Sequence, residues 1–349
     1  MAFLRNAASL GLALALWGGT LAGPASAEAA AEAAKEKAAP AECRGADMLA
    51  ELAITDPETH KRVLEKGALL ENSEALLWKI EKQGTAPSHL FGTIHLSDSR
   101  VTKIAPKVTE ALFTSKTLAL EVADLSDAAL GAAMATSADL LVYADGQTLE
   151  QKLEKVEFER VKAVVEKAGI PGDVAKLLKP WLVSTLLAIS DCERRQIDAG
   201  APVVDMRLGE HAKEKGIPVV GLETIELQLA ALASVPDDEQ LQMLKVGLKY
   251  ADRTSDLLET LLQLYLKRQM GAAMPFQIAL AEKLGVPASA FDGFQKALLV
   301  DRNASMAKKA APLLEQGQAF IAVGALHLPG RTGLVALLRE AGYIVTPVE

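Results

Sequence analysis

Four short, mostly apolar runs along the chain are each followed by a histidine or a glutamate. Their length and their content of Leu, Ile, Val and Phe are typical of buried β-strands. In open α/β sheets, functional side chains gather beyond the carboxyl ends of the strands. We therefore expect the polar residues that follow these runs to share one rim of a sheet; they are His95, Glu121, Glu223 and His327.

Helical periodicity accounts for most of the remaining chain. Strands at both ends of a helix-rich middle segment predict an α/β (α+β) fold, in which helices cover a mixed β-sheet. The predicted helices cover residues 47–64, residues 148–167 behind a capping box of Thr148 and Gln151, residues 173–198, residues 203–215 with Asp205 as N-cap, and most of residues 224–316.

The first 27 residues have the features of a secretory signal peptide. Arg5 precedes an apolar core at 10–17, and small residues at 25–27 predict cleavage after Ala27. A retained membrane anchor is the alternative, but the apolar run is shorter than the roughly 20 residues that a span requires. Residues 28–42, rich in Ala, Glu and Lys, predict a flexible linker, and residues 43–349 a single folded domain. We expect a periplasmic or secreted protein.

The charge of the chain narrows the range of partners. The net charge is −8, from 37 basic and 45 acidic side chains, and removal of the signal peptide takes away one arginine. An acidic chain is poorly suited to bind nucleic-acid phosphates or an anionic membrane. We expect no nucleic acid and no stable membrane anchor, and the sequence does not indicate the oligomeric state.

The chain contains two cysteines, Cys43 and Cys192. In an oxidising compartment two cysteines can form a disulfide, which here would join the start of the domain to its middle. The alternative is two separate thiols that pack as small apolar groups. We expect the disulfide, in a structural role.

The four polar residues after the apolar runs are suited to binding a metal ion. Neutral imidazoles and carboxylates bind zinc, manganese or iron, and an open coordination position activates water for hydrolysis. A glycine precedes each histidine of these runs by three residues, at Gly92 and Gly324. Without a side chain there, another backbone or a substrate can approach the strand end closely.

Each candidate also has a structural interpretation. Glu121 could be an ordinary carboxylate at a strand end, although a buried carboxylate needs a partner. Glu223 could cap the helix that begins near Thr224. Arg302 could be an exposed neighbour of an Asp301 cap, or it could point at a developing anion.

The remaining histidines are weaker candidates. His60 and His211 lie among charged residues and are expected to be solvated, whereas His89 could support the site from behind. The chain contains no G-x-S-x-G, no phosphate loop and no H-E-x-x-H, which excludes the familiar motifs of serine hydrolases, P-loop enzymes and zinc proteases.

The chain resembles the TraB/GumN family, which is related to the Tiki metalloproteases and more distantly to the erythromycin esterase group. The resemblance extends over about 76–348 and rests on four stretches: LLWKIEKQGTAPSHLFGTIHLSDSRV, LALEV, GIPVVGLET and FIAVGALHLPGRTGLVALLREAGYIVTPV. The resemblance implies an α/β core of two related halves. It also implies one site containing the paired G-x-x-H histidines His95 and His327 and the glutamate Glu121, with Glu223 and Arg302 as further members.

These observations predict a secreted, divalent-metal-dependent hydrolase, and the resemblance implies that its substrate is a peptide or another small envelope molecule, with peptides as the first substrate class. His95, Glu121 and His327 would bind Mn, Co or Zn, and the cation would lower the pKa of bound water. Glu223 is the candidate general base, and Arg302 the candidate oxyanion stabiliser. The alternatives are a non-catalytic periplasmic protein that binds a metal or a partner in exopolysaccharide assembly, and a metal-free esterase of the erythromycin-esterase type.

Overall fold

The computed structural model describes residues 42–348. The predicted signal peptide and nearly all of the predicted linker lie outside these residues. Among the helices of residues 42–348, none has the length and apolar character needed to cross a membrane. The described part contains one mixed β-sheet covered by helices, as predicted from the strands at both ends of a helix-rich middle segment.

The sheet has six strands in the order β4, β3, β5, β2, β1, β6. Strands β2, β3, β4 and β5 run parallel to one another, and β1 is antiparallel to both of its neighbours. The strands are β1 (Leu77–Lys82), β2 (Thr85–Thr93), β3 (Thr117–Leu120), β4 (Val219–Gly221), β5 (Ala319–Gly324) and β6 (Ile344–Pro347).

Two helices precede β1, and the others lie in the segments between the later strands. The first group is α1 (Met48–Thr55), α2 (Pro57–Ala68), α3 (Ser99–Thr102), α4 (Pro106–Phe113), α5 (Asp127–Thr136), α6 (Ala138–Leu141), α7 (Leu149–Lys152), α8 (Lys155–Lys167), α9 (Pro180–Leu187), α10 (Asp191–Asp198) and α11 (Val204–Glu214). The second group is α12 (Ile225–Ser234), α13 (Asp237–Lys249), α14 (Thr254–Leu266), α15 (Ala273–Glu282), α16 (Asp292–Gln295), α17 (Asp301–Gln316) and α18 (Leu334–Glu340).

The sheet is buried on both faces. Strand β5 lies at its centre, and Ala319 to Val323 are all buried, as expected for a parallel strand covered by helices on both sides. Phe320 and Ala322 belong to one apolar cluster, whereas Ile321 and Val323 belong to another on the opposite face. A third cluster, built from helices α5 to α9 together with α12 and α13, forms a separate core for much of the helix-rich middle segment. The sheet therefore fixes the positions of its strand ends firmly.

Several predicted helices are interrupted, and local side chains explain the breaks. The helix predicted over 47–64 divides at Asp56, whose carboxylate caps α2, and Pro57 follows without an N–H to continue α1. The helix predicted over 148–167 begins with the expected capping box. It then breaks at Leu153, because Glu154 and Glu157 form a second capping box for α8. The segment 173–198 forms a 3₁₀ turn and the two helices α9 and α10.

The predicted disulfide is confirmed between Cys43 and Cys192, whose Cα atoms lie 5.6 Å apart. Cys43 and Glu193, the neighbour of Cys192, both form hydrogen bonds with the loop that follows β2. The Cys43 N–H donates to Asp98 at 2.7 Å, and Glu193 accepts a 2.6 Å hydrogen bond from the Ser97 hydroxyl. The disulfide therefore holds both the start of the domain and α10 against this loop.

Removal of the disulfide should lower the free energy of unfolding by about 2–5 kcal/mol, because the bond closes a long loop of 149 residues and restricts the unfolded chain. We expect this loss in a Cys43→Ser, Cys192→Ser variant, measured by urea unfolding at neutral pH. Adding a reductant should weaken the wild type to a similar extent and leave the variant unchanged. Equal midpoints for oxidised wild type and variant would contradict a stabilising role.

Candidate functional site

The ends of the parallel strands bring three of the predicted site residues together. The Nε2 atom of His95 lies 4.0 Å from Oε1 of Glu121, and the Nε2 atom of His327 lies 3.7 Å from the same oxygen. These residues follow β2, β3 and β5, which are neighbours in the sheet. The His95 side chain is 27% exposed, whereas that of His327 is 6% exposed. A substrate can therefore approach this group of residues from the side of His95.

His95 is held by a carboxylate from a helix. Its Nδ1 atom lies 2.8 Å from Oδ2 of Asp205, and the other oxygen of Asp205 accepts a hydrogen bond from the Thr93 hydroxyl. The prediction that Asp205 is the N-cap of its helix was wrong. Val203 occupies that position, and Asp205 lies in the first turn of α11 with its side chain directed at the end of β2.

His327 is held by an amide. It lies in a 3₁₀ turn after β5, and its Nδ1 atom is 2.6 Å from Oδ1 of Asn303. The Asn303 Nδ2 group donates to the carbonyl of Thr332 at 2.8 Å, which assigns Oδ1 as the atom that faces the histidine. The Nδ1 atom of His327 must then carry the proton and donate it. Its Nε2 lone pair is left to face Glu121.

The two glycines of the G-x-x-H motifs have different functions. A Cβ atom on Gly92 would come within 2.6 Å of Leu328 and 3.0 Å of the Ala325 backbone, so glycine allows the turn that carries His327 to pack on β2. A Cβ atom on Gly324 would lie 3.3 Å from Glu121 and 3.4 Å from Nε2 of His95. Glycine at position 324 therefore leaves open the space that Glu121 and the histidines surround.

Glu121 is buried and accepts hydrogen bonds at both oxygens. The Gly324 N–H donates to Oε1 at 2.7 Å, while Gln228 and Arg302 donate to Oε2 at 3.0 and 2.7 Å. Burial by itself would raise the pKa of Glu121, but His327, Arg302 and His95, all cationic at low pH, hold it well below its usual range. Glu121 is therefore an anion at neutral pH.

Arg302 and Glu223 form a buried ion pair beside Glu121. The guanidinium of Arg302 donates to both oxygens of Glu223, and its Nη2 lies 2.6 Å from Oε2. The alternative in which Arg302 is an exposed neighbour of a helix cap is wrong, because its side chain is 13% exposed. The alternative of Glu223 as a helix cap is wrong as well, because Thr224 caps α12.

The two histidines have opposite protonation preferences in the absence of a metal. Burial lowers the pKa of His95, but the neighbouring Asp205 and Glu121 carboxylates outweigh this and raise it to about 9. Burial also lowers the pKa of His327, and the positive charges of Arg302 and His95 lower it further, so that it falls to about 4 in spite of Glu121. His327 therefore presents a free lone pair, whereas His95 must release a proton from Nε2 before it can bind a cation.

The donor atoms suit a divalent cation, but their spacing is wide. Two imidazole nitrogens with their other nitrogens anchored, plus one carboxylate, match a common zinc ligand set and its supporting hydrogen bonds. Ligands of one tetrahedral zinc lie about 3.4 Å apart, given metal–ligand distances near 2.1 Å. Accordingly, within residues 42–348 no group of three His, Cys, Asp or Glu side chains is already arranged to hold a metal ion. To bind one ion, Nε2 of His327 and Nε2 of His95 would have to come closer to Oε1 of Glu121 by about 0.3 and about 0.6 Å.

Three supporting residues were not predicted from the sequence in these positions: Asp205, Asn303 and Gln228. Asp205 follows the apolar residues Val203 and Val204, and an acidic side chain in such a run is an indication of burial with a partner. Asn303 and Gln228 give no comparable signal in the sequence. His89, predicted as a possible support, instead lies opposite Lys79 in the sheet, with its ring near Phe320.

Comparison with known proteins gives matches along most of the chain. The sequence model of the TraB/PrgY/gumN family matches residues 76–347. The uncharacterized protein YbaP of Shigella flexneri is 23% identical over 73% of this chain and 89% of its own length. The metalloprotease TIKI2 of Danio rerio is 24% identical, over 82% of this chain and 64% of its own. The metalloprotease TIKI1 of Xenopus tropicalis is 23% identical, over 78% of this chain and 61% of its own length. The chain thus spans about three fifths of these TIKI relatives, and no solved structure matches it significantly.

Proposed function

This chain belongs to the TraB/PrgY/gumN family, and from that premise we propose that it is a hydrolase that uses a divalent metal ion to cleave peptides. One observation carries the proposal: the Nδ1 atoms of His95 and His327 are both anchored, so that both Nε2 atoms face one oxygen of Glu121. Distant relatives are named metalloproteases, which supports the same reaction class. The candidate ions are Mn, Co and Zn.

His95, Glu121 and His327 would hold the metal ion. Asp205 and Asn303 would keep the two imidazoles in the orientation that directs Nε2 to the ion, as supporting carboxylates and amides do in metal sites. A bound divalent cation supplies Lewis acidity, which polarises a carbonyl group and makes water a stronger acid. The Gly324 N–H and the Arg302 guanidinium keep Glu121 ionised and oriented.

Glu223 and Arg302 would handle the proton and the developing negative charge. Within residues 42–348, Oε1 of Glu223 accepts one hydrogen bond, from Arg302 Nε at 3.1 Å, whereas Oε2 accepts three, so Oε1 is the oxygen suited to take a proton from the attacking water. Among the described residues, Nη1 of Arg302 makes a single contact, of 3.4 Å with the Leu298 carbonyl, and so has a donor left for a substrate oxyanion. Each role needs Glu223 and Arg302 to loosen their mutual contact when the substrate binds.

We place this activity in the periplasm or outside the cell. The disulfide is consistent with an oxidising compartment, and the first 27 residues have the pattern of a cleavable signal. The net negative charge favours a small substrate over nucleic acid.

The proposal is tested with purified protein that is stripped by a chelator and reloaded with manganese, cobalt or zinc. We expect cleavage of a mixed peptide library, followed by mass spectrometry, to appear only after reloading, because Lewis acid chemistry needs the cation. Metal binding without peptide cleavage would indicate a metal-binding protein. Hydrolysis of esters in the presence of chelator would indicate the metal-free esterase instead.

A further inference from the structure

A groove of about 620 Å³ lies between α11 and the edge of the sheet at β4. Its volume is in the range of small-molecule and peptide side-chain pockets. Most of its wall is apolar, with Leu120, Val122, Ile217 and Val219 as the larger side chains. Asp205, which holds His95, also lines the groove. One end of the groove therefore adjoins the candidate metal site.

The helix that forms one wall contains a glycine that neither backbone geometry nor packing requires. Gly209 lies in the interior of α11, and it is absent from the residues with positive φ within 42–348. A Cβ atom there would meet one atom within 4 Å, Leu120 Cδ1 at an ordinary 3.9 Å. Glycine inside a helix is about 1 kcal/mol less favourable than alanine. The missing side chain keeps the groove open, which accounts for glycine at this position.

The far end of the groove carries a positive charge. Lys213 lines the groove and is exposed, and no carboxylate of residues 42–348 forms an ion pair with it. Asp205, Gly209 and Lys213 are spaced by four residues and so follow one face of α11. At 1.5 Å per residue, Lys213 lies about 12 Å along the helix from Asp205. An extended peptide of about four residues has this length.

We infer that the groove binds the part of a peptide substrate next to the scissile bond, with an apolar side chain beside Gly209 and a carboxylate at Lys213. This inference rests on the proposed peptidase function and adds the substrate class. Apolar walls favour burial of an aliphatic or aromatic side chain, and the unpaired ammonium group favours an anion. The carboxylate can belong to the peptide C-terminus or to an Asp or Glu side chain, and the two sources are separable by experiment.

The first test fills the groove. Gly209→Leu places a side chain where a Cβ atom has room, and Gly131→Leu is the matched control, a helix-interior glycine in α5 with nothing within 4 Å of its Cβ position. The probe is a fluorescein-labelled eight-residue peptide with one leucine four residues before a free C-terminus. We expect Gly209→Leu to weaken binding of this peptide at least tenfold by anisotropy, because the pocket is occupied. The peptide affinity of Gly131→Leu should match that of the wild type, and so should the zinc affinity of both variants.

The second test reverses the charge at the far end. Lys213→Glu should weaken binding of the same peptide, with its free C-terminal carboxylate, about three- to tenfold, as expected for one exposed charge. It should leave binding of the peptide with an amidated C-terminus unaffected. The matched control is Lys309→Glu, an exposed lysine on α17. If Lys213→Glu also weakens binding of an amidated peptide that contains an internal glutamate, a side-chain carboxylate serves as well as the C-terminus.

The outcomes separate this inference from the proposed function. If wild type binds the peptides but cleaves none, and Gly209→Leu abolishes binding, the groove assignment stands and the peptidase proposal fails. If wild type, Gly209→Leu and Lys213→Glu bind and cleave alike, the groove assignment is overturned and the peptidase proposal stands. If wild type binds no peptide with or without metal, the groove assignment is also overturned.

Discussion

Replacement of either His95 or His327 by alanine is expected to abolish metal binding and hydrolysis together. Both Nε2 atoms face the same oxygen of Glu121, so each variant would lose one of three protein ligands. Loss of a supporting residue around a metal site typically lowers affinity 10- to 100-fold, so loss of a ligand should lower it by more than about 100-fold. The double variant should be no worse than either single variant, because no site is left to lose.

Calorimetric titration of manganese, zinc and cobalt into the wild type, the two single variants and the double variant measures this effect, with peptide cleavage measured in parallel. His60→Ala is a suitable control, since His60 lies on helix α2 and not at the end of a strand. Each variant should stay folded in chelator, because losing the hydrogen bonds to Asp205 or Asn303 costs about 1–3 kcal/mol. Unchanged affinity in His327→Ala, with only His95→Ala impaired, would show that the two histidines do not share one ion.

Replacement of Arg302 by methionine is expected to lower the free energy of unfolding by about 3–5 kcal/mol. The change leaves two buried carboxylates, Glu121 and Glu223, side by side without their common cation. An uncompensated buried charge is among the most destabilising changes in a protein interior. Urea unfolding at pH 7 measures the loss. Arg62→Met, which removes an exposed pair with Glu282, should cost less than about 1 kcal/mol.

Two further variants separate charge from packing at this position. Arg302→Lys keeps the cation but loses the forked hydrogen bonds, so its loss should lie between those of wild type and Arg302→Met. Adding Glu223→Gln to Arg302→Met should recover part of the stability, because one buried charge is removed. A double variant as unstable as Arg302→Met would show that packing, and not charge, explains the effect.

The difference between wild type and Arg302→Met should shrink at low pH. The pKa of Glu121 is held well below its usual range in the folded protein. Its contribution to stability is therefore present above the unfolded value of about 4.3 and is lost as the pH falls. In the variant the same carboxyl can be protonated without leaving a cation unpaired. A difference that stays constant from pH 7 to pH 3 would contradict this account.

The strand ends could be predicted from the sequence because a buried strand requires a local run of apolar residues. Runs such as 117–120 and 319–324 are apolar where the strands are covered on both faces, and the polar residue after each run marks the rim. The disulfide could also be expected, since only one pairing was possible for two cysteines. Helix ends were predicted less well, because capping at Glu154 competes with the continuous apolar periodicity.

The sequence by itself therefore determined the class of fold and the residues that lie beyond the strand ends. The tertiary structure decided which side chains meet. Asp205 and His95 are 110 residues apart, and Gln228 and Glu121 are 107 apart. The spacing of residues along the chain carries no information on such pairs, because they depend on how helices dock against the sheet. The same docking decides the protonation of the histidines: the Asp205 carboxylate raises the pKa of His95, whereas burial and the charges of Arg302 and His95 lower the pKa of His327.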